Sequence, residues 1–302
     1  MRHDPYLAHR AFIAPAWDNS AAWRIAVALL AFEIAFELTP DIILNFLPAA
    51  IGDAMYGGLS TPFGTTLEFL SFGITLIIFV GAVRLVNKRG LASLLGPGDV
   101  RGNYLRAGLW VAAVLLAIEI APPFVDWGEI VDIRPLGPWL LWLGPALVAI
   151  TIQSATEEIV YRGYLQQQLA VMTKRRIIWM GVPSVLFGAA HYFNGYGPSE
   201  GLLWAIWATF LGLACADLTA RSGNLGAAIG LHAANNMFAA TLYAIEDWPS
   251  SGLARYIYGY LDPSEYDYSL HTLLAPWAIW ELALSAMGVL VMWLAARIAL
   301  RR

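Results

Sequence analysis

Apolar residues in this chain come in long runs separated by short polar stretches. The runs approach the ~20 residues that a helix needs to cross a bilayer. Eight of them predict helices: residues 23–38, 63–86 and 105–121, a fourth that starts between Pro138 and Leu147, then 177–193, 202–219, 225–245 and 276–300. No fixed-period repeat or low-complexity tract divides them. The expected fold class is therefore all-α, a polytopic membrane protein of eight transmembrane helices, with residues 1–302 forming one integral-membrane domain.

Composition supports the pattern. The 302 residues are 59% hydrophobic and 13% charged, against roughly 25% charged in ordinary soluble proteins. The deficit runs along the whole chain, which favours many spans over one anchor. Thirteen tryptophans suit bilayer interfaces. A net charge of −4 gives no footprint for nucleic acid. Cys215 is the single cysteine, so no intrachain disulfide and no Cys-based metal site is available. The first apolar run follows a polar lead with Arg2, Arg10 and Asp18, has no convincing cleavage site, and is expected to be a retained span.

Charge placement then sets the expected orientation, because Lys and Arg gather in short cytoplasmic loops. Arg2, Arg10 and Arg24 precede the first span; Arg84, Lys88, Arg89, Arg101 and Arg106 lie around the second connection. Lys174, Arg175 and Arg176 follow the fourth span, Arg221 joins six to seven, and Arg297, Arg301 and Arg302 close the chain. The alternate loops hold Arg134 and Arg255 among many acids, including Asp41, Asp53, Asp126, Glu129, Asp132, Glu200, Glu246, Asp247 and Asp262. This alternation predicts both termini in the cytoplasm and a large acidic external loop over 246–272.

Ionisable groups inside such spans are costly and point to function. The stretch around Glu157, Glu158 and Arg162 lies in the fourth span, His191 in the fifth, and His232, Asn235 and Asn236 in the seventh. Residues four apart share a helix face. Glu158 can thus pair with Arg162, and His232 and Asn236 can aim at one target while Asn235 is rotated away. Glu157 reaches the depth of the histidines only if its helix continues through Arg162 and Gln166 towards Lys174. That preference puts the helix start nearer Leu147, with 138–143 as an interfacial lead-in.

Two hydrolytic readings fit these groups. Glu157, His191 and His232 form a His2Glu set able to hold Zn2+ with a position left for water. Alternatively, Glu157 acts as general base on water held by His191, and His232 with Asn236 donates to the oxyanion. Taken singly, each signal has a plainer reading: His191 and Asn236 as helix–helix hydrogen bonders, Glu158–Arg162 as a structural ion pair. Glu33, Glu37, Glu68, Glu119, Asp217 and Glu281 are expected to serve packing or interface roles, and Gly181, Gly188, Gly212 and Gly226 to permit close helix approach. The conjunction of two Glu, two His and an Asn in three spans favours catalysis.

Glu157-Glu158-x-x-x-Arg162, Phe187-x-x-x-His191 and His232-x-x-x-Asn236 resemble, in order, the three motifs of the CPBP intramembrane proteases. That family unites CAAX prenyl proteases of the second type with bacteriocin-processing and self-immunity proteins. The likeness covers about residues 151–238 and extends to the approach Arg221-Ser222-Gly223-Asn224-Leu225. It implies eight helices around an intramembrane cavity reached from the cytoplasm and through the lipid. It also implies Glu157 as the water-activating residue, Glu158 and Arg162 as its supporting pair, Phe187 as the first position of the second motif, and His191, His232 and Asn236 as the other polar members. The resulting expectation is an intramembrane endopeptidase acting on a peptide or protein substrate. A proton-coupled transporter and a non-catalytic membrane scaffold that retains the fold are the rivals.

Overall fold

The computed structural model describes residues 4–56, 60–120, 130–246, 251–260 and 262–301. Arg2, Asp126, Glu129, Asp247 and Arg302, and Ala121 at the end of the third expected span, lie outside the described residues. Each expected apolar run is helical over most of its length, the seventh giving way to a strand at Tyr243. A short helix α1 (Leu7–Ile13) is followed by α2 (Ala22–Phe46), α3 (Ala49–Tyr56), α4 (Pro62–Asn87), α5 (Leu91–Leu95) and α6 (Val100–Glu119). Strand β1 (Ile130–Ile133) leads into α7 (Leu136–Glu158), a π-helical segment Ile159–Gln166, and α8 (Gln167–Met172). Then come α9 (Arg176–Ala190), α10 (Pro198–Ser222), α11 (Gly226–Thr241), β2 (Tyr243–Ile245), β3 (Tyr256–Tyr258) and α12 (Pro276–Leu300).

Among the described residues, four helices are long and apolar enough to cross a membrane: Pro62–Asn87, Leu136–Met172, Pro198–Ser222 and Pro276–Leu300. The other expected spans fall short for visible reasons. Helix α2 carries Arg24, Glu33, Glu37 and Asp41, and α6 carries Arg101, Arg106 and Glu119, while α9 and α11 have 15 and 16 residues. Large apolar side chains on the outside, among them Ile77, Leu85, Leu141 and Ile177, are three-quarters exposed or nearly so. Such a surface suits lipid and not water.

The fourth span departs from expectation at its start. It is one continuous helix of 37 residues from Leu136 to Met172, so 138–143 form its first turns and Leu147 lies well inside it. The continuation past Arg162 and Gln166 is present, but as a π segment in which every residue is buried.

Bonds between connections define two opposite ends. At one, the Asp217 carboxylate accepts from Tyr6 Oη (2.6 Å), Arg221 Nε (2.6 Å) and Trp293 Nε1 (2.8 Å). There Asp4 also faces Arg176, Arg89 donates to Gln167, and Leu225 N–H donates to the Leu95 carbonyl. The basic connections thus share an end. At the other, β3 pairs antiparallel with β1 and parallel with β2. This small sheet, absent from the all-α expectation, is confined to the loops. Arg134 donates to the Ser251 and Gly252 carbonyls, Trp139 Nε1 to Thr241 O, and Ser199 N–H to Tyr268 O.

Backbone contact through glycine sets the position of α11. A Cβ on Gly230 would meet the Tyr104 carbonyl and lie 2.9 Å from Gly108 N, so α6 and α11 touch main chain to main chain. Of the glycines expected to allow close approach, Gly188, Gly212 and Gly226 each abut another helix or turn. Gly181 does not: its nearest neighbour within 4 Å is Ile177 of its own helix.

Candidate active site

Glu157 and Glu158 occupy the last turn of α7, immediately before the π segment. Widened helical turns of this kind recur at functional sites. Adjacent residues on a helix point about 100° apart, and here the two carboxylates part company. Glu157 lines a cavity of about 1700 Å³, whereas Glu158 is fully buried away from it. Arg162, also fully buried, donates from Nη1 to Glu158 Oε1 at 3.1 Å. Its guanidinium lies 4.6 Å from the centroid of the Phe187 ring. Gly212 on α10 leaves the room: a Cβ there would come within 2.7 Å of Arg162 Nη2 and 3.0 Å of Ser184 Cα.

His232, on the second turn of α11, bridges the two acids. Its Nδ1 is 2.9 Å from Glu158 Oε1 and its Nε2 is 3.4 Å from Glu157 Oε2. A buried carboxylate can accept, so Nδ1–H donates to Glu158. Glu157 Oε2 is itself buried and has no hydrogen-bond partner. Arg162, Glu158, His232 and Glu157 thus form a chain of alternating polar groups running from the protein interior to the cavity wall.

His191 stands at the C-terminal end of α9, where its Nδ1 donates to the Phe187 carbonyl at 2.8 Å. That bond fixes the tautomer and leaves the Nε2 lone pair free. Phe187 packs against both imidazoles, with ring centroids 4.5 Å from His191 and 5.6 Å from His232. His191 lines the same cavity as Glu157 and His232, though among the described residues no hydrogen bond or ion pair joins it to either. Asn236 lines it too, one turn beyond His232, and its Nδ2 donates to Gln153 Oε1 at 2.9 Å.

One neighbour was not singled out from the sequence, and another was expected to face elsewhere. Gln153 lies four residues before Glu157, on the same helix face, and that spacing was the available signal. Asn235, expected to be rotated away, lines the cavity and donates to Asn236 Oδ1 at 3.0 Å. The acids assigned to packing also divide. Asp217 is the hub described above, and Glu119 accepts from Tyr243 Oη at 2.9 Å. Glu33, Glu37, Glu68 and Glu281, however, line the cavity. Burying such groups between helices would be costly, and a wide wet cavity lets them keep their hydration.

The donor chemistry suits zinc in part. Each imidazole gives its Nδ1 hydrogen to an oxygen, which orients Nε2 as metal-ligating histidines require. As placed, though, no group of three His, Cys, Asp or Glu side chains among the described residues converges on one point. The same set is arranged for acid–base work on a water: a carboxylate with a free lone pair, an imidazole acceptor, and amide and imidazole N–H donors around one cavity.

Residues 137–238 match the family model described as type II CAAX prenyl endopeptidase Rce1-like. An uncharacterized protein of Bacillus subtilis (strain 168), YyaK, is 30% identical over 255 residues, covering 75% of this chain and 80% of its own. No solved structure matches.

Proposed function

This chain belongs to the Rce1-like family of type II CAAX prenyl endopeptidases, a family of proteases, and on that premise we propose that it is a multi-pass membrane endopeptidase in which Glu157 activates a water. The observation that carries the reading is Glu157, whose Oε2 is buried without a hydrogen-bond partner beside His232, and which lines a cavity that His191 and Asn236 also line.

His191 Nε2 accepts a hydrogen bond from the water and holds it against Glu157. Glu157 takes one proton as the water oxygen bonds to the substrate carbonyl carbon. The negative charge that gathers on the carbonyl oxygen is met by an N–H of Asn236, steadied by Gln153, and by Nε2–H of His232, which in this metal-free reading carries hydrogens on both ring nitrogens. When the C–N bond breaks, the proton held by Glu157 passes to the leaving nitrogen, giving a carboxylate and an amine. Glu158 and Arg162 touch no substrate; Glu158 holds His232 in place, and Arg162 holds Glu158. Should zinc bind, Glu157, His191 and His232 are the residues to hold it, and it would supply an acidified water.

Glu157→Gln is expected to remove cleavage while leaving thermal unfolding in detergent within ~1 kcal/mol of wild type, because the carboxylate takes no part in the buried Arg162–Glu158 pair and an amide oxygen can still face His232. Full activity of a folded Glu157→Gln protein would refute the assignment. Elemental analysis of purified protein beside a chelator titration decides the metal: zinc near one per chain, lost together with activity, supports the His2Glu shell, and undiminished activity in metal-free protein removes it.

A further inference from the structure

One face of the fourth span borders the cavity turn after turn. Gln153, Glu157, Tyr161 and Leu165 follow one another at intervals of four residues, and all of them line the same space. Gln153 and Glu157 already have parts in the proposed reaction; Tyr161, one turn beyond Glu157, has none. Its side chain is 7% exposed, and among the described residues its hydroxyl makes no hydrogen bond. The ring is nevertheless fixed. It meets the Phe187 ring edge-on, with centroids 5.2 Å apart, and Phe187 packs in turn on His191 and His232. The charged groups that face it are Glu157 and Arg162 on its own helix and Glu33 on α2. A phenol is protonated at neutral pH, so one that faces a cavity without a partner has a hydrogen to give.

Order along the helix face supplies the direction. Gln153 holds Asn236, so the carbonyl oxygen of a bound peptide lies on that side of Glu157. The amide nitrogen leaves the carbonyl carbon on the other side, where Tyr161 stands. We propose that Tyr161 is a further catalytic residue, a general acid whose hydroxyl gives its proton to the leaving nitrogen. The assignment rests on the endopeptidase reading and fills in its last step. As the C–N bond breaks, the nitrogen takes the phenolic proton, and the proton that Glu157 drew from water moves to the phenolate oxygen. The products are a carboxylic acid and an amine, with Tyr161 neutral and Glu157 again a carboxylate.

Two forms of one substrate, given to the full-length protein in detergent, test this. The probe is an internally quenched peptide, taken from a random-sequence set because wild type cleaves it and Glu157→Gln does not. Its counterpart carries an ester in place of the scissile amide, and an ester oxygen leaves with far less need of a proton than an amide nitrogen. Tyr161→Phe keeps the ring on Phe187 and should lower kcat for the amide by about 10²-fold, with KM within about twofold and the ester slowed by no more than about threefold. Equal losses on the two substrates, or none on either, overturn the assignment. Replacing Tyr161 with 3,5-difluorotyrosine, whose phenol is more acidic, gives a second reading. The alkaline limb of kcat on the amide should move to lower pH, and an unmoved limb overturns the assignment as well. A ring that served packing alone would shift neither the amide-to-ester ratio nor that limb. If no peptide separates wild type from Glu157→Gln, the endopeptidase reading fails and this assignment falls with it. If one does and Tyr161→Phe is silent, that reading stands and the role of Tyr161 alone is lost.

Discussion

Arg162 and Glu158 offer the sharpest test of how this protein tolerates charge in its interior. Both side chains are fully buried and their closest atoms are 3.1 Å apart. At an effective dielectric constant near 20, their attraction is about 5 kcal/mol. Glu158→Gln removes the charge but keeps an oxygen for His232 Nδ1, so the loss falls on Arg162. Its Nε and Nη2 already lack hydrogen-bond partners, and its remaining support is the Phe187 and Tyr161 rings, worth about 1–2 kcal/mol when desolvated. A loss of about 3–5 kcal/mol is expected, as for other buried pairs broken on one side. Arg162→Met should cost less, about 2–3 kcal/mol, because Glu158 keeps His232 at 2.9 Å. Combining Glu158→Gln with Arg162→Met leaves no net buried charge, and replacing both members of such a pair is often close to neutral. The double variant should therefore be at least ~2 kcal/mol more stable than the sum of the singles implies. Unfolding in mixed micelles, followed by tryptophan fluorescence, reads all four corners of the cycle. Simple additivity would mean that the two groups do not depend on each other, and the account of Glu158 as a positioning residue would fall with it.

Further outcomes follow from other contacts. Gln153→Ala frees Asn236 from its acceptor and should lower kcat about tenfold with KM little changed, since one partly misplaced oxyanion donor is lost; an unchanged kcat would detach Asn236 from the reaction. His9, in α1 outside the spans, is stacked on Trp179 with ring centroids 4.5 Å apart, and burial pushes its pKa down to about 4 from an ordinary 6.5. The unfolded chain then binds the extra proton first, so stability is complete above about pH 6.5 and falls as pH drops towards 4, by up to ~3 kcal/mol. His9→Phe should flatten that part of the pH–stability profile, and a profile identical to wild type would refute the assignment. Gly212→Ala should destabilise by more than ~1 kcal/mol, since the new methyl would meet Ser184 Cα at 3.0 Å as well as the Arg162 guanidinium; proteolytic resistance in detergent reads the effect.

Much of this arrangement was legible in the sequence because membranes impose a coarse code. The positions of the long helices followed from apolar run length, except at the start of α7, and the clustering of the basic connections at one end followed from Lys and Arg placement. Glu157, His191, His232 and Asn236 stood out as polar groups where polarity is expensive, and the structure brings all four to one cavity. What escaped was lateral direction. Run length says that Glu33, Glu37 and Glu281 are inside helices, but not whether they face lipid, protein or water. Their environment is decided by how far α2 stands from α9 and α10, which no local pattern encodes. Gln153 was passed over for a related reason: a neutral amide costs less to bury than a charge, so its signal is weaker, although it shares the face of Glu157.

Depth was the other difficulty, and its resolution bears on mechanism. If each helix crossed the bilayer whole, Glu157 would sit 21 residues, or about 30 Å, from the start of α7, near the far boundary of the hydrocarbon. His191 would lie at the opposite extreme, at the end of α9. They meet because the fourth span is overlong and the fifth is short. Helix α7 with its continuation runs 37 residues, about 55 Å, and so projects beyond the hydrocarbon. Helix α9 has only 15 residues, about 22 Å, and delivers His191 part-way along its neighbour. Unequal helix lengths thus leave an indentation where the short helices stop and the long one continues. The proposed water-dependent reaction would take place in this indentation among lipid-facing helices, with the buried Arg162–Glu158 pair behind the cavity-lining polar groups.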